Sequence, residues 1–218
     1  KLNIAPPNRI TNDQIQELLK SNPEKAEAIM SSVAAGMVPL FHEKDIRDMG
    51  SADTRYYNYA DVACMRNLEA NDIAAMGTDL SGSVWGMAEY NLITVFGEHD
   101  DKVPPYWYLC WDNITAANKL LDNLPMSTVG DNKKLKQYRA MGLVTRAYFY
   151  NYLMENFQQA YMLDGQANYD NKLGMMLYTS FDPQQPYKAR ASAAETYDSI
   201  LKWSKEAVRL LKEAEVGY

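Results

Sequence analysis

Between residues 11 and 38 the apolar positions recur at helical spacing, first at Ile15, Leu18 and Leu19, then at Ala26, Ile29, Met30, Val33 and Met37. Thr11 with Gln14 forms a T-x-x-Q capping box for the first run. Asn22-Pro23 supplies a cap and a first-turn proline for the second, and Gly36 and Pro39 end it. From His42 to Val103 the pattern weakens. Val62, Met65 and Leu68 suggest an irregular helix near 59–76, and Gly77, Gly82 and Gly86 mark a loop before another helical piece near 84–96.

The second half is regular. Trp107, Trp111, Ile114, Ala117 or Asn118, and Leu121 form one amphipathic stripe after Pro104-Pro105, and Pro125 stops it. Their spacing places Trp107 and Trp111 in the core. Asp131 is positioned to cap the next helix, with Leu135, Tyr138, Met141 or Gly142, Thr145, Tyr148 or Phe149, and Tyr152 inward and Lys133, Lys134 and Lys136 outward. A polar excursion over 158–191 precedes the box Ser192-Ala193-Ala194-Glu195, which opens a last helix through Tyr197, Ile200, Leu201, Val208 and Leu211. The fold class expected is all-α, built of tetratricopeptide-like helical pairs with a long irregular excursion between helices.

Composition narrows the function. Of 218 residues, 28 are acidic and 22 are Lys or Arg; the resulting net charge of -6, without a basic cluster, argues against nucleic-acid binding. The longest uncharged stretch, Ala28 to His42, is too short and too interrupted to span a bilayer. Cys64 and Cys110 make neither a disulfide framework nor a metal motif and are expected to be buried thiols. The aromatic set is skewed, with 16 Tyr and 4 Trp against 5 Phe, and tyrosine's polar tip suits a half-wet surface.

Three motifs in order carry a resemblance. Trp111-x-x-Ile114-x-x-x-Asn118, then Arg146-Ala147-Tyr148-Phe149 with Asn156-Phe157, then Arg190-x-Ser192-x-x-Glu195-x-Tyr197-x-x-Ile200, resemble the SusD/RagB family. The resemblance is close over roughly residues 100–215 and holds in outline before that. It implies a lipid-anchored protein on the extracellular face of the outer membrane, seated over a TonB-dependent (SusC-like) transporter and capturing oligosaccharide or polysaccharide without catalysis or cofactor. Gln158 departs from the family's usual glycine, and no lipid-bearing Cys stands at the N-terminus. Membrane contact is then expected only through an anchor outside this sequence. Members are considerably longer, so residues 1–218 are expected to form a single N-terminal helical domain of a longer chain.

A sugar ring has an apolar C–H face and a rim of hydroxyls, so its site needs an aromatic platform beside amides and carboxylates. The glycine-punctuated segment offers that mixture in Asn71, Asp72, Trp85 and Tyr90, with Asp79 and Asn91 nearby. Trp85 is expected either to supply a stacking face or to fill a gap in the core. Tyr56, Tyr57 and Tyr59 form a second aromatic cluster, suited to core, transporter or sugar contact. Gly97-Glu98-His99-Asp100-Asp101 gathers possible cation ligands but lacks the alternating spacing of a calcium loop, which favours a solvated loop. His42 has no partner in the sequence. The sequon Asn113-Ile114-Thr115 lies inside a predicted helix. No hydrolase, zincin or P-loop motif is present. The alternative function is a tetratricopeptide-like scaffold that binds a protein or peptide partner.

Overall fold

The computed structural model describes residues 12–37, 63, 67, 70, 72, 103–158, 162–163, 166–167 and 172–216. Among these, the helices are α1 (Asn12–Ser21), α2 (Pro23–Ala35), α3 (Val103–Asn123), α4 (Met126–Val129), α5 (Lys133–Phe157) and α6 (Ala193–Glu213). Between α5 and α6 a two-residue antiparallel pair, β1 (Met162–Leu163) with β2 (Gln166–Ala167), adds a small hairpin to an otherwise all-α architecture. Chain contacts divide the protein into two compact units, residues 1–36 with 114–218, and residues 37–113.

In the larger unit, α1 packs on α2, α2 on α5, α5 on α6, and α4 on both α1 and α5. The Asn22 side chain accepts the Lys25 N–H at 3.3 Å and Pro23 opens α2, as the sequence predicts. Gly36 ends that helix in the right-handed region at φ −65°, so its stop does not use glycine's left-handed freedom. Met30 and Ala34 are buried, whereas Ile29 and Val33 are half-buried.

Helix α5 is the centre of this unit. Its buried positions run almost all round, from Leu135 through Ala140, Leu143, Phe149 and Tyr150 to Met154, as befits a helix covered on several sides. Its cap is Asn132, which accepts the Leu135 N–H at 3.0 Å, one residue after the expected Asp131. Lys136 was expected outside but is buried, with Nζ 2.9 Å from the Glu213 carboxylate on α6. Arg139 donates to Glu206 from Nη2 at 2.9 Å and to the Leu124 carbonyl at 2.7 Å. Successive contacts run backwards along the partner helices, so α5 is antiparallel to both the C-terminal part of α3 and to α6.

Helix α6 begins with the expected reciprocal capping box. Ser192 Oγ accepts the Glu195 N–H at 3.1 Å, and Glu195 accepts the Ser192 N–H at 2.9 Å. Its buried face is shifted from the expected one. Thr196, Ile200, Trp203, Ala207 and Leu210 turn inward, while Leu201 and Val208 are exposed. The small and polar residues at 196 and 207 sit where α5 and the preceding loop approach closely, which hydrophobicity alone does not reveal.

In the smaller unit, α3 starts at Val103 and carries Pro104-Pro105 in its first turn, where missing N–H groups cost nothing. Of the α3 residues in this unit, Leu109, Cys110 and Asn113 are buried. Trp107 and Trp111, expected in the core, are only half-buried and rest against each other with ring centroids 5.6 Å apart. Cys110 is the expected buried thiol, its pKa pushed up by burial. Asn113 is buried and donates to the Leu109 carbonyl at 2.9 Å, so the sequon is closed to modification. Ala63 and Asn67 are helical, within the irregular helix expected near 59–76; the remainder of that helix and the piece near 84–96 lie outside the described residues.

Candidate functional site

Of the four residues assigned to sugar binding from sequence, Asp72 is described; it is exposed, and its N–H donates to the Asn67 carbonyl at 2.9 Å. Asn71, Trp85 and Tyr90 lie outside the described residues, as do Tyr56, Tyr57, Tyr59, His42 and the 97–101 cluster.

The motif residues at 118, 146 and 190–196 have a defined place. They hold residues 172–191, an extended tongue between the hairpin and α6, against the helices. Asn118 donates from Nδ2 to the Tyr178 carbonyl at 2.9 Å, while its Oδ1 accepts from Arg146 Nη1 at 3.2 Å. The same Nη1 donates to the Thr179 carbonyl at 3.2 Å. Tyr150 Oη accepts the Tyr178 N–H at 2.8 Å and donates to the Met176 carbonyl at 2.9 Å. Further along, Thr196 Oγ1 accepts the Met175 N–H at 3.1 Å and donates to the Ser192 carbonyl at 2.8 Å. Arg190 Nε donates to the Gly174 carbonyl at 2.6 Å. Gln158, the residue that departs from the family pattern, donates its side-chain amide to the Leu173 carbonyl.

Electrostatically this is a costly arrangement. Burial holds the Arg146 pKa down to about 10, and its Nε is buried without a hydrogen-bond partner. Part of the cost is offset by the Trp203 indole, whose ring centroid lies 4.3 Å from the guanidinium carbon. Burial also pushes the Tyr150 phenol up, which keeps it protonated and able to donate.

The outer side of the tongue is aromatic and polar. Phe181 is exposed, lies under Lys119 Nζ at 4.3 Å, and is fixed by its N–H donating to Asp122 Oδ2 at 2.7 Å. Asp182 then closes a tight turn, its Oδ1 accepting the Gln184 N–H at 2.8 Å and its carbonyl the Gln185 N–H at 3.1 Å. Lys188 donates its N–H to Tyr178 Oη at 3.0 Å and its Nζ to the Leu177 carbonyl at 3.0 Å. Between these fixed points Tyr187 stands wholly in solvent, with a relative exposure of 102%. Sequence reasoning placed the excursion but missed Tyr187 and Phe181. The available signal was an aromatic residue set among Pro183, Gln184, Gln185 and Pro186.

These groups can stack on and hydrogen-bond to a neutral ligand. Among the described residues, no group of three His, Cys, Asp or Glu side chains is placed to hold a metal ion, and no helix is long and apolar enough to cross a membrane. A family model, SusD-like 3, described as starch-binding and associating with the outer membrane, matches residues 14–216. No curated protein matches the chain.

Proposed function

This chain belongs to the SusD-like family of starch-binding proteins that associate with the outer membrane, and we propose on that premise that it captures oligosaccharides at the cell surface for a TonB-dependent transporter. The observation that carries the reading is the family match over 14–216, joined to the role of the motif residues. Asn118, Arg146 and Arg190 spend their hydrogen bonds on fixing the tongue. The ligand surface therefore belongs on the exposed segments rather than on the motifs.

Asn71, Asp72, Trp85 and Tyr90 form the main sugar platform in this proposal, with Trp85 as the stacking face and the others bonding ring hydroxyls; the exposure of Asp72 is in keeping with it. The protein binds rather than catalyses, faces the extracellular side and is held there by a lipid anchor. The tetratricopeptide-like reading of the helix pairs is supported by the antiparallel packing of α5 on α6. The rival function, a scaffold for a peptide partner, fits less well, because a regular helical array would not insert residues 158–191 between two consecutive helices and secure part of them, at 175–179, with buried polar groups.

Affinity electrophoresis through native gels containing soluble starch, mannan or xylan tests the capture reading. Retardation by at least one polysaccharide is expected, and unaltered mobility in all three would count against it. The transporter arm is tested by purification from outer-membrane extracts, where a large TonB-dependent barrel should accompany the protein. Recovery of the protein alone contradicts that arm.

A further inference from the structure

We propose that the turn at residues 181–188 is a second oligosaccharide contact, in which Tyr187 supplies a stacking face and the Gln184 and Gln185 amides reach the hydroxyl rim. It is separate in sequence from the platform assigned to residues 71–90 and rests on the capture reading above. Tyr187 is wholly exposed, yet the backbone on both sides of it is tied down. The Asp182 turn and the Asp122 bond to the Phe181 N–H hold one side, and the Lys188 N–H bond to Tyr178 Oη holds the other. A ring presented on an anchored turn loses little conformational freedom when a ligand stacks on it.

The dimensions and chemistry of the turn favour a sugar over a protein partner. A stable protein interface buries about 800 Å² on each side around an apolar centre. Here the one fully exposed ring stands in a turn whose Asp182, Gln184 and Lys188 are also exposed, and the turn's other ring, Phe181, already has Lys119 over it. One phenol ring flanked by amides matches the area and polarity of one pyranose unit. Lys188 directs its ammonium to the Leu177 carbonyl and over the Tyr178 ring, 5.3 Å from its centroid, which suits a neutral ligand better than an anionic one.

The test uses Tyr187→Ala and Tyr187→Phe in the same starch, mannan and xylan gels, with thermal midpoints recorded. Nitration of Tyr187 by tetranitromethane is followed by mass spectrometry with and without the retarding polysaccharide. The expected result is a three- to tenfold loss of affinity in Tyr187→Ala, roughly what one aromatic stack is worth. The midpoint should not move, Tyr187→Phe should bind like the parent, and bound polysaccharide should protect Tyr187 from nitration. A parent protein that is retarded while Tyr187→Ala is retarded equally and Tyr187 nitrates at the same rate overturns this proposal and leaves the capture reading standing. A parent protein retarded by none of the three polysaccharides removes both.

Discussion

Arg146 sets its guanidinium carbon 4.3 Å from the centre of the Trp203 indole, so a buried cation from α5 is capped by a ring from α6 while its Nη1 reaches the Thr179 carbonyl of the tongue. Three segments of the larger unit meet at this pair. Removing Trp203 takes a large buried ring from the α5–α6 seam and exposes the cation, so Trp203→Ala should cost about 3–5 kcal/mol in urea unfolding. Arg146→Met keeps the bulk but leaves the Thr179 carbonyl and Asn118 Oδ1 short of a donor, for a loss of about 1–3 kcal/mol. It should also speed proteolysis within 178–190. A loss below about 0.5 kcal/mol with unchanged proteolysis would mean that Arg146 does not hold the tongue.

Two glycines make contrasting predictions. At Gly142 an added Cβ would lie 3.0 Å from Leu121 Cγ and 3.1 Å from its Cδ2, side-chain rather than backbone atoms, which can give by a few tenths of an ångström. Helix propensity gained by alanine offsets part of that crowding, so Gly142→Ala should change stability by less than about 1 kcal/mol. At Gly174 the added carbon would overlap both Thr196 Oγ1 and the Ser192 backbone carbonyl, which cannot move without opening the α6 cap. Gly174→Ala should therefore cost more than about 2 kcal/mol. Equal effects at the two positions would contradict the close approach of the tongue to α6.

Acid should weaken the α6 ends. Hydrogen bonds from the Ser192 N–H and Oγ lower the Glu195 pKa from 4.5, and the Lys136 side chain followed by Arg209 lowers that of Glu213. Both pKa values are lower folded than unfolded, so the stabilisation is present above about pH 4.5 and is lost as pH falls below it. The thermal midpoint should be flat near neutrality and decline under pH 4.5. In a Glu195→Gln, Glu213→Gln double variant the decline should be shallower. An identical acid profile in that variant would place the acid sensitivity elsewhere.

The parts of this structure that were legible in the sequence are those fixed by neighbours within one turn. Asn22 before Pro23, and Ser192 three residues before Glu195, define helix starts because the cap bond closes over three residues. The inward face of α6 differs from the expected one because the stripe through Leu201 and Val208 is the more apolar in sequence, whereas the packed face is the one through Thr196, Trp203 and Ala207. Lys136 was placed outside for a similar reason, since its partner Glu213 is far along the chain. The tongue is the extreme case. Asn118 and Tyr178 are 60 residues apart, and nothing in the local pattern of either shows that one carries the other. Motif order identified the family, whereas the task of its residues became visible only in three dimensions.

The measurement that tests the central claim most directly is calorimetric titration of soluble starch into the parent protein and into Trp85→Ala, with the thermal midpoint of each recorded. Glycan capture through the 71–90 platform predicts saturable heat in the parent, and loss of that heat in Trp85→Ala at an unchanged midpoint. Saturable binding that survives in a well-folded Trp85→Ala protein would remove Trp85 from the platform. Absence of saturable heat in the parent protein, with starch and likewise with mannan and xylan, would contradict the account as a whole.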